Sequence, residues 1–462
     1  MRHVGVRSLP LLAGAAMIVR ALGLVPAEAQ SNPPAATTAP APAAPSAPPP
    51  ATTAPAPAAP AAPKSFWDAV NLSGYLQAGI TGNFDSPPSG LNFGRLFDDK
   101  SNQVLYNQGS LIFERPVDTS GGFDWGFRFW GIQGTDARYT HFLGEADRWT
   151  TQRVQYDLVE ADVTFHLPYL AGGQELKIGQ FPTLLGAETI DPRTNSFYSH
   201  SYIFNFGLPF KDTGAMLVTH LSPLIDLYTG IITGVNTGIG FPGGDNNAAI
   251  AFEGGLGFNI SNALTVVVYT NIGPEDSCGV AGALYSCNST ERVYGDLVAT
   301  WKVNPKLTAT GELNIVHDGG PFLSPAGRPF SPTAGGAAGY LVYQWTDQIS
   351  LAGRAEIFRD ANGFFVLAFP GSNLDFVNCE AGLNTCRTFG PGVPTTYSEL
   401  TLGFNWKPAM PDVLKPFRGF VIRPEFRFDS VLGGPPAFNL DKAGVASKRT
   451  QETVAVDFIL PF

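Results

Sequence analysis

Apolar and polar residues alternate with a period of two along most of this chain, the signature of strands that present opposite faces to different surroundings. The clearest instance is the last stretch, TQETVAVDFILPF at 450–462. There Val454, Val456, Phe458, Leu460 and Phe462 share one face of an extended strand, while Thr453, Ala455 and Asp457 share the other. An apolar strand with a bare edge recruits other strands unless it is paired, and closing a sheet into a barrel removes the edge. The end of the chain is therefore expected to close against its beginning, at residues 71–80.

The same periodicity gives sixteen strand-like segments, at 71–80, 103–115, 122–133, 153–167, 174–181, 211–221, 224–234, 248–260, 263–272, 290–303, 306–317, 336–346, 348–359, 395–407, 417–429 and 450–462. Most are long enough to cross a bilayer as tilted strands, which takes about 9–11 residues. The connections alternate. Short links (117–121, 168–173, 222–223, 261–262, 304–305, 347 and 408–416) follow the even segments. Long ones, such as 81–102, 134–152, 273–289 and 360–394, follow odd segments. Tight turns at one end and long loops at the other are the plan of an outer-membrane barrel. No repeat of fixed length points to a propeller or solenoid. The predicted fold is all-β, a transmembrane antiparallel barrel of about 16 strands with short periplasmic turns and long extracellular loops.

Facing patterns locate lipid and water. Phe420, Ile422, Phe426 and Phe428 oppose Arg423, Glu425, Arg427 and Asp429. Leu307, Ala309, Leu313 and Ile315 oppose Thr308, Thr310, Glu312 and Asn314. Ile349, Leu351, Ala355 and Ile357 oppose Ser350, Arg354 and Glu356. Val159, Ala161, Val163 and Phe165 oppose Glu160, Asp162, Thr164 and His166, and Phe123, Trp125, Phe127 and Phe129 oppose Asp124, Gly126 and Arg128. An Arg or Lys at a lipid-facing midplane costs about 2–4 kcal/mol, so the charged faces must line the interior. A barrel of this strand number encloses a water-filled lumen.

Composition narrows the compartment and the partners. Arg2 and Arg7 precede an apolar run from Leu9 to Val25 broken by Arg20, and Ala27-Glu28-Ala29 offers a signal-peptidase site. Residues 1–29 are expected to be a signal peptide and 30–64, built almost wholly of Ala, Pro, Thr and Ser, a disordered periplasmic spacer. Residues 65–462 form the barrel, its partner the outer-membrane lipid. The net charge of −10 makes nucleic acid an unsuitable partner. Cys278 with Cys287, and Cys379 with Cys386, fall pairwise in two long loops at spans a local disulfide closes. No His lies near them at ligand spacing, so neither a metal nor a cofactor is expected.

At this point the chain resembles the OmpL-like β-barrel porins of Gram-negative outer membranes, over nearly everything after the Pro/Ala spacer. The resemblance is carried by LSGYLQ at 72–77, Asn107-Gln108 with Phe113-Glu114-Arg115, IGQFPT at 178–183 leading to Gly186 and Glu188, NSFYSHSY at 195–202, Pro209-Phe210 with Thr213-Gly214, and RPEFRFD at 423–429. Gln180 stands where a basic residue is usual, and Lys211-Asp212 where a His is usual. The resemblance implies a channel. It also implies that the aromatic loop 184–206, with Glu188, Asp191 and Arg193, folds into the lumen, the alternative being an external loop that packs its aromatics against its neighbours; folded inward, it would face a wall holding Arg128, Arg354, Glu356, Arg423, Glu425 and Arg427. Opposed charges across a passage make a transverse field that favours small polar solutes; the same charges could instead neutralise one another as a ladder. A homotrimer is open to such a barrel, and the terminal Phe462 resembles the signal read by barrel-assembly machinery.

The function expected is passive diffusion of small hydrophilic solutes. Rivals are a facilitated channel specific for anions or oligosaccharides, an outer-membrane Ser/His hydrolase using His200 or His220, and a soluble secreted β protein. The chain carries no Gly-x-Ser-x-Gly, HExxH, P-loop or dinucleotide fingerprint, and its histidines are scattered.

Overall fold

A computed structural model describes residues 66–142, 153–170, 172–239, 244–276, 287–320, 322–323, 329–366 and 393–462. The signal-peptide and spacer expectations, Cys278, Cys379 and Cys386 lie outside these residues. In chain order the strands are β1 (Asn71–Asn83), β2 (Val104–Arg115), β3 (Asp124–Gly134), β4 (Gln155–Leu167), β5 (Gln174–Pro182), β6 (Lys211–Ser222), β7 (Ile225–Val235), β8 (Ala251–Ser261), β9 (Leu264–Gly273), β10 (Arg292–Asn304) and β11 (Leu307–Asp318). They continue as β12 (Phe322–Leu323), β13 (Pro329–Phe330), β14 (Thr333–Gln344), β15 (Ile349–Asp360), β16 (Thr395–Trp406), β17 (Val421–Gly433) and β18 (Thr450–Pro461). β12 and β13 pair only with each other; the other sixteen close into one antiparallel barrel.

Closure is made by the last strand on the first, with Tyr75 opposite Pro461 and Asn83 opposite Thr453. Pro461, which has no N–H to give, occupies a position between ladder bonds. The Gly74 N–H donates to the Phe462 carbonyl and the Phe462 N–H to the Gly74 carbonyl, both at 2.9 Å, so the next pair along carries the ladder. The Phe462 ring lies where a side chain at Gly74 would be, since a Cβ there would come within 2.6 Å of it.

The faces follow the alternation. On β17 Phe426 is exposed outward while Arg423, Glu425, Arg427 and Asp429 are buried inward. Val159 is a correction: it was expected on the lipid face with Ala161 and Val163 but is fully buried. The register of β3 on β4 slips between Trp130 and Gly131, where Trp130 faces Glu160 and Gly131 faces Leu158, leaving Val159 as a bulged residue turned inward. Asp457 is a second correction. With the other charged faces it was expected to line a water-filled lumen, yet it is buried, accepting from Gln77 Nε2 at 2.7 Å and from Arg423 Nε at 2.9 Å.

Part of the lumen is a packed core rather than water. Tyr75, Trp130, Ile132, Phe358, Tyr397 and Val431 project inward from the wall and are buried. Loop residues Phe93, Leu96, Phe97, Ile190, Tyr202, Ile203, Phe204, Phe206, Leu208, Phe210 and Phe438 fill the space between them. These are apolar positions on the polar face, where period-two reading alone expects water.

Candidate functional site: the loop within the lumen

The chain between β5 and β6 leaves the wall at Thr183 and returns at Phe210. Its apolar side chains Leu185, Ile190, Phe197, Tyr198, Tyr202, Ile203 and Phe204 are buried, and a short helical turn, Ile203–Gly207, lies within it. Burying this many large side chains, each worth about 1.5–3 kcal/mol, is sufficient reason for the segment to fold inward. Phe97 from the β1–β2 loop stacks edge-on against His200 and Phe204, at 4.9 and 5.5 Å between ring centroids. Gly79 of β1 admits the Tyr198 ring, which lies 2.5 Å from where a Cβ would be.

Burying a loop also buries its amide and carbonyl groups, and each left unpaired would cost roughly 1–3 kcal/mol. The charged wall supplies their partners. Glu356 accepts the Tyr202 and Ile203 N–H groups at 2.6 and 2.7 Å. Glu425 accepts Tyr198 N–H at 2.8 Å and Ser199 N–H at 3.2 Å. Asp296 and Glu312 accept Gly186 and Ala187 N–H, each at 3.2 Å. Arginines take the carbonyls: Arg354 donates to Ser199 O at 2.8 Å, Arg423 to Pro192 O and Asn195 O at 2.8 and 2.7 Å, and Arg427 to His200 O at 2.5 Å. The wall is thus a socket for the backbone of the loop.

The sequence-predicted residues separate into two groups in this geometry. Glu188, Arg354, Glu356, Arg423, Glu425 and Arg427 are brought together around the loop and are all buried. Glu188 does not face Arg354 across a passage but bonds it directly, at 2.6 Å, and accepts from His200 Nδ1 at 2.9 Å. Burial pushes the Glu188 carboxyl up, but Arg354 and His200 outweigh it and hold the group at about 2. Arg128, Asp191 and Arg193 lie apart from these, with 31, 14 and 31 % of their side chains exposed. Arg193 bonds Asp191 at 2.6 Å and stacks over the Tyr75 ring.

Sequence reasoning passed over several members of both groups. Asp296 and Glu399 belong to the buried set, Glu399 taking Arg354 Nε at 2.6 Å. In the exposed set Arg128 pairs with Glu114 and with Glu160 at 2.8 Å, and Lys177 reaches the same Glu160 at 2.8 Å with a third of its side chain exposed. Glu175 and Lys177 alternate with Leu176 and Ile178 along β5, a signal the facing argument could have used. Cys287 is disulfide-bonded; its expected pairing with Cys278 falls partly outside the described residues. Among the described residues no group of three or more His, Cys, Asp or Glu side chains is disposed to hold a metal.

With this geometry in hand, comparison places the chain. No curated protein matches it. The outer-membrane channel DcaP of Acinetobacter baumannii superposes at a TM-score of 0.51 with 11% identity, over 85% of this chain and 97% of DcaP. An anion-selective porin from Comamonas acidovorans superposes at 0.52 with 10% identity, over 85% of this chain and 99% of that one. At such identities the likeness is one of fold. The family model described as "Putative beta-barrel porin-2, OmpL-like" matches residues 69–462. The chain belongs to this family, and is an outer-membrane porin whose closed barrel serves passive diffusion.

Proposed function

We propose that the two groups of charges divide the work of a diffusion pore for small hydrophilic solutes. The buried group fixes the aperture by holding the loop. The exposed group, Glu114, Arg128, Lys177, Asp191 and Arg193, meets the solute. The observation that carries this reading is the contrast in exposure: Lys177, Arg128 and Arg193 leave about a third of each side chain accessible, whereas Arg354 and Arg427 leave none. Arg128 and Lys177 share Glu160, which is 7% exposed, Arg128 also meets Glu114 at 24% and Arg193 meets Asp191 at 14%, so the cations are the more accessible partners and present positive charge to the passing solution. This favours a pore with a preference for small anions over one selective for neutral oligosaccharides.

Reversal potentials in planar bilayers test the reading. Replacing Arg128 and Lys177 together by Ala is expected to shift the anion-to-cation permeability ratio at least several-fold towards cations while leaving conductance in bulk salt nearly unchanged. An unchanged ratio would remove these residues from selectivity. Block by one solute at low concentration would instead support the specific channel.

The hydrolase reading lacks a nucleophile: among the described residues the His200 ring bonds Glu188 and the His220 ring bonds Glu175 and Asp226, and neither is bonded by a Ser hydroxyl. A homotrimer is supported by a flat outer patch where Ala299, Gly311, Gly339 and Ala355 are successive cross-strand partners. A Cβ at Gly311 or Gly339 would meet no atom within 4 Å, so a neighbour could approach closely there. Crosslinking in detergent checks the assembly. Cleavage after Ala29, freeing a periplasmic spacer, is supported by the small residues at 27 and 29 and is checked by sequencing the mature N-terminus.

A further inference from the structure

At the periplasmic ends of four consecutive strands, well away from the loop socket, the barrel gathers a second polar cluster. His166 of β4 and Glu175 of β5 are cross-strand partners, as are His220 of β6 and Asp226 of β7. His166 Nδ1 lies 2.8 Å from Glu175 Oε1, and the other oxygen of Glu175 lies 2.6 Å from His220 Nε2. His220 Nδ1 lies 2.5 Å from Asp226 Oδ1, and Asn259 of β8 donates to Asp226 Oδ2 at 2.9 Å. A cavity of about 340 Å³, lined by Gly172, His220, Ser222, Pro223, Asp226 and Asn259, opens beside it.

The decisive feature is that both ring nitrogens of His220 face carboxylate oxygens. A carboxylate only accepts, and a neutral imidazole has one donor and one acceptor. Both contacts are hydrogen bonds only when His220 is an imidazolium. In the neutral ring one nitrogen lone pair would point at a carboxylate oxygen from which no proton comes. Gly172 and Gly173, just before β5, lie against the backbone of the same residue: His220 N–H donates to Gly173 O at 3.2 Å, and a Cβ at Gly172 would come within 2.4 Å of His220 Cβ. The titratable or charged groups facing His220 are thus Glu175 from β5 and Asp226 from β7, with His166 from β4 behind Glu175. β8 supplies the neutral Asn259, and Gly172 and Gly173 supply backbone. Lys177, the next inward residue on β5, is engaged by Glu160 and Asp162.

We propose that this cluster is a proton-dependent clasp on the periplasmic rim, in which doubly protonated His220 ties β5 to β7. At acidic pH the chain Asn259–Asp226–His220–Glu175–His166 is continuous across five strands. Loss of the His220 proton breaks one of its two bonds and leaves facing carboxylates uncompensated, so the rim loosens as pH rises.

The test compares wild type with His220→Gln in detergent, following heat-modifiable gel mobility from about pH 5 to about pH 8, the span over which histidine ordinarily titrates. Wild type is expected to lose about 2 °C or more of its midpoint on alkalinisation. His220→Gln, which cannot charge, is expected to lose that dependence. Equal pH slopes in the two proteins would overturn the clasp. Should the variant fail to fold, ¹⁵N-histidine spectra of the wild type decide: two protonated ring nitrogens on His220 at about pH 5 support it, and a neutral ring there overturns it.

Discussion

Arg354 holds four partners at once: Glu188 at 2.6 Å, Glu399 at 2.6 Å, the Ser199 carbonyl at 2.8 Å and the Thr401 hydroxyl at 3.3 Å. Truncating it leaves buried Glu399 with only the 3.8 Å contact to Arg427 and buried Glu188 with only His200, so Arg354→Ala is expected to cost about 3–5 kcal/mol, read from the urea midpoint of the folded protein. Acid attacks the same node from the other side. The folded-state carboxyl of Glu188 is lowered, from an ordinary 4.5 to about 2. Its contribution is therefore complete above pH 4.5 and drains away as pH falls through about 2. Conductance recorded down that range is expected to rise and become noisier as the loop works free, whereas a flat trace would mean that Glu188 does not hold it. The alternation of β15 placed Arg354 and Glu356 correctly on the inner face. What those side chains touch was beyond local sequence, because Glu188 and Ser199 are more than 150 positions away.

Strand facing was largely legible because lipid and water ask for opposite chemistry at every second residue, so a one-residue slip would put Arg423 or Arg427 into hydrocarbon. The exception is Val159, where a bulge adds a residue to β4 and reverses the facing locally. Bulges depend on the partner strand, which a single-segment pattern does not contain. The register makes a direct prediction. Phe426→Arg puts a charge on the outer face, costing about 2–4 kcal/mol near the midplane, while Thr310→Arg, on the inner face of β11, is expected to cost little. Heat-modifiable mobility of the two refolded variants separates the cases, and equal losses would refute the facing of β11 or β17. The apolar inner positions Tyr75, Trp130 and Phe358 were the part not legible, since only the inward loop gives them something to pack against.

The molecule as a whole depends on one seam. β18 carries ladders to both β1 and β17, so deleting residues 450–462 strips two edges at once. The truncated chain is expected to yield aggregate with no heat-modifiable band, while deleting only Phe462, which closes the Gly74 pair, is expected to reduce the yield of folded barrel rather than abolish it. Closure and strand count followed from rhythm alone, the long loops on one side and tight links on the other. That part of the lumen is filled did not follow, because a lumen and a core are lined by the same inward positions and differ only in what enters them.

The socket grips amide and carbonyl groups, which every residue type shares apart from the N–H that proline lacks. Side chains of the loop that take no part in the socket are thereby released from the task of staying in place. Asp191 and Arg193 are of this kind: the carbonyls of neighbouring Pro192 and Asn195 are clamped by Arg423 while their own charges remain partly accessible. Such an arrangement is an interchangeable diaphragm in a permanent mount. Relatives of this chain could acquire different solute preferences by exchanging residues at those accessible positions, with Glu356, Arg423 and Glu425 kept constant, and an engineer could retune the pore by the same route without rebuilding the barrel.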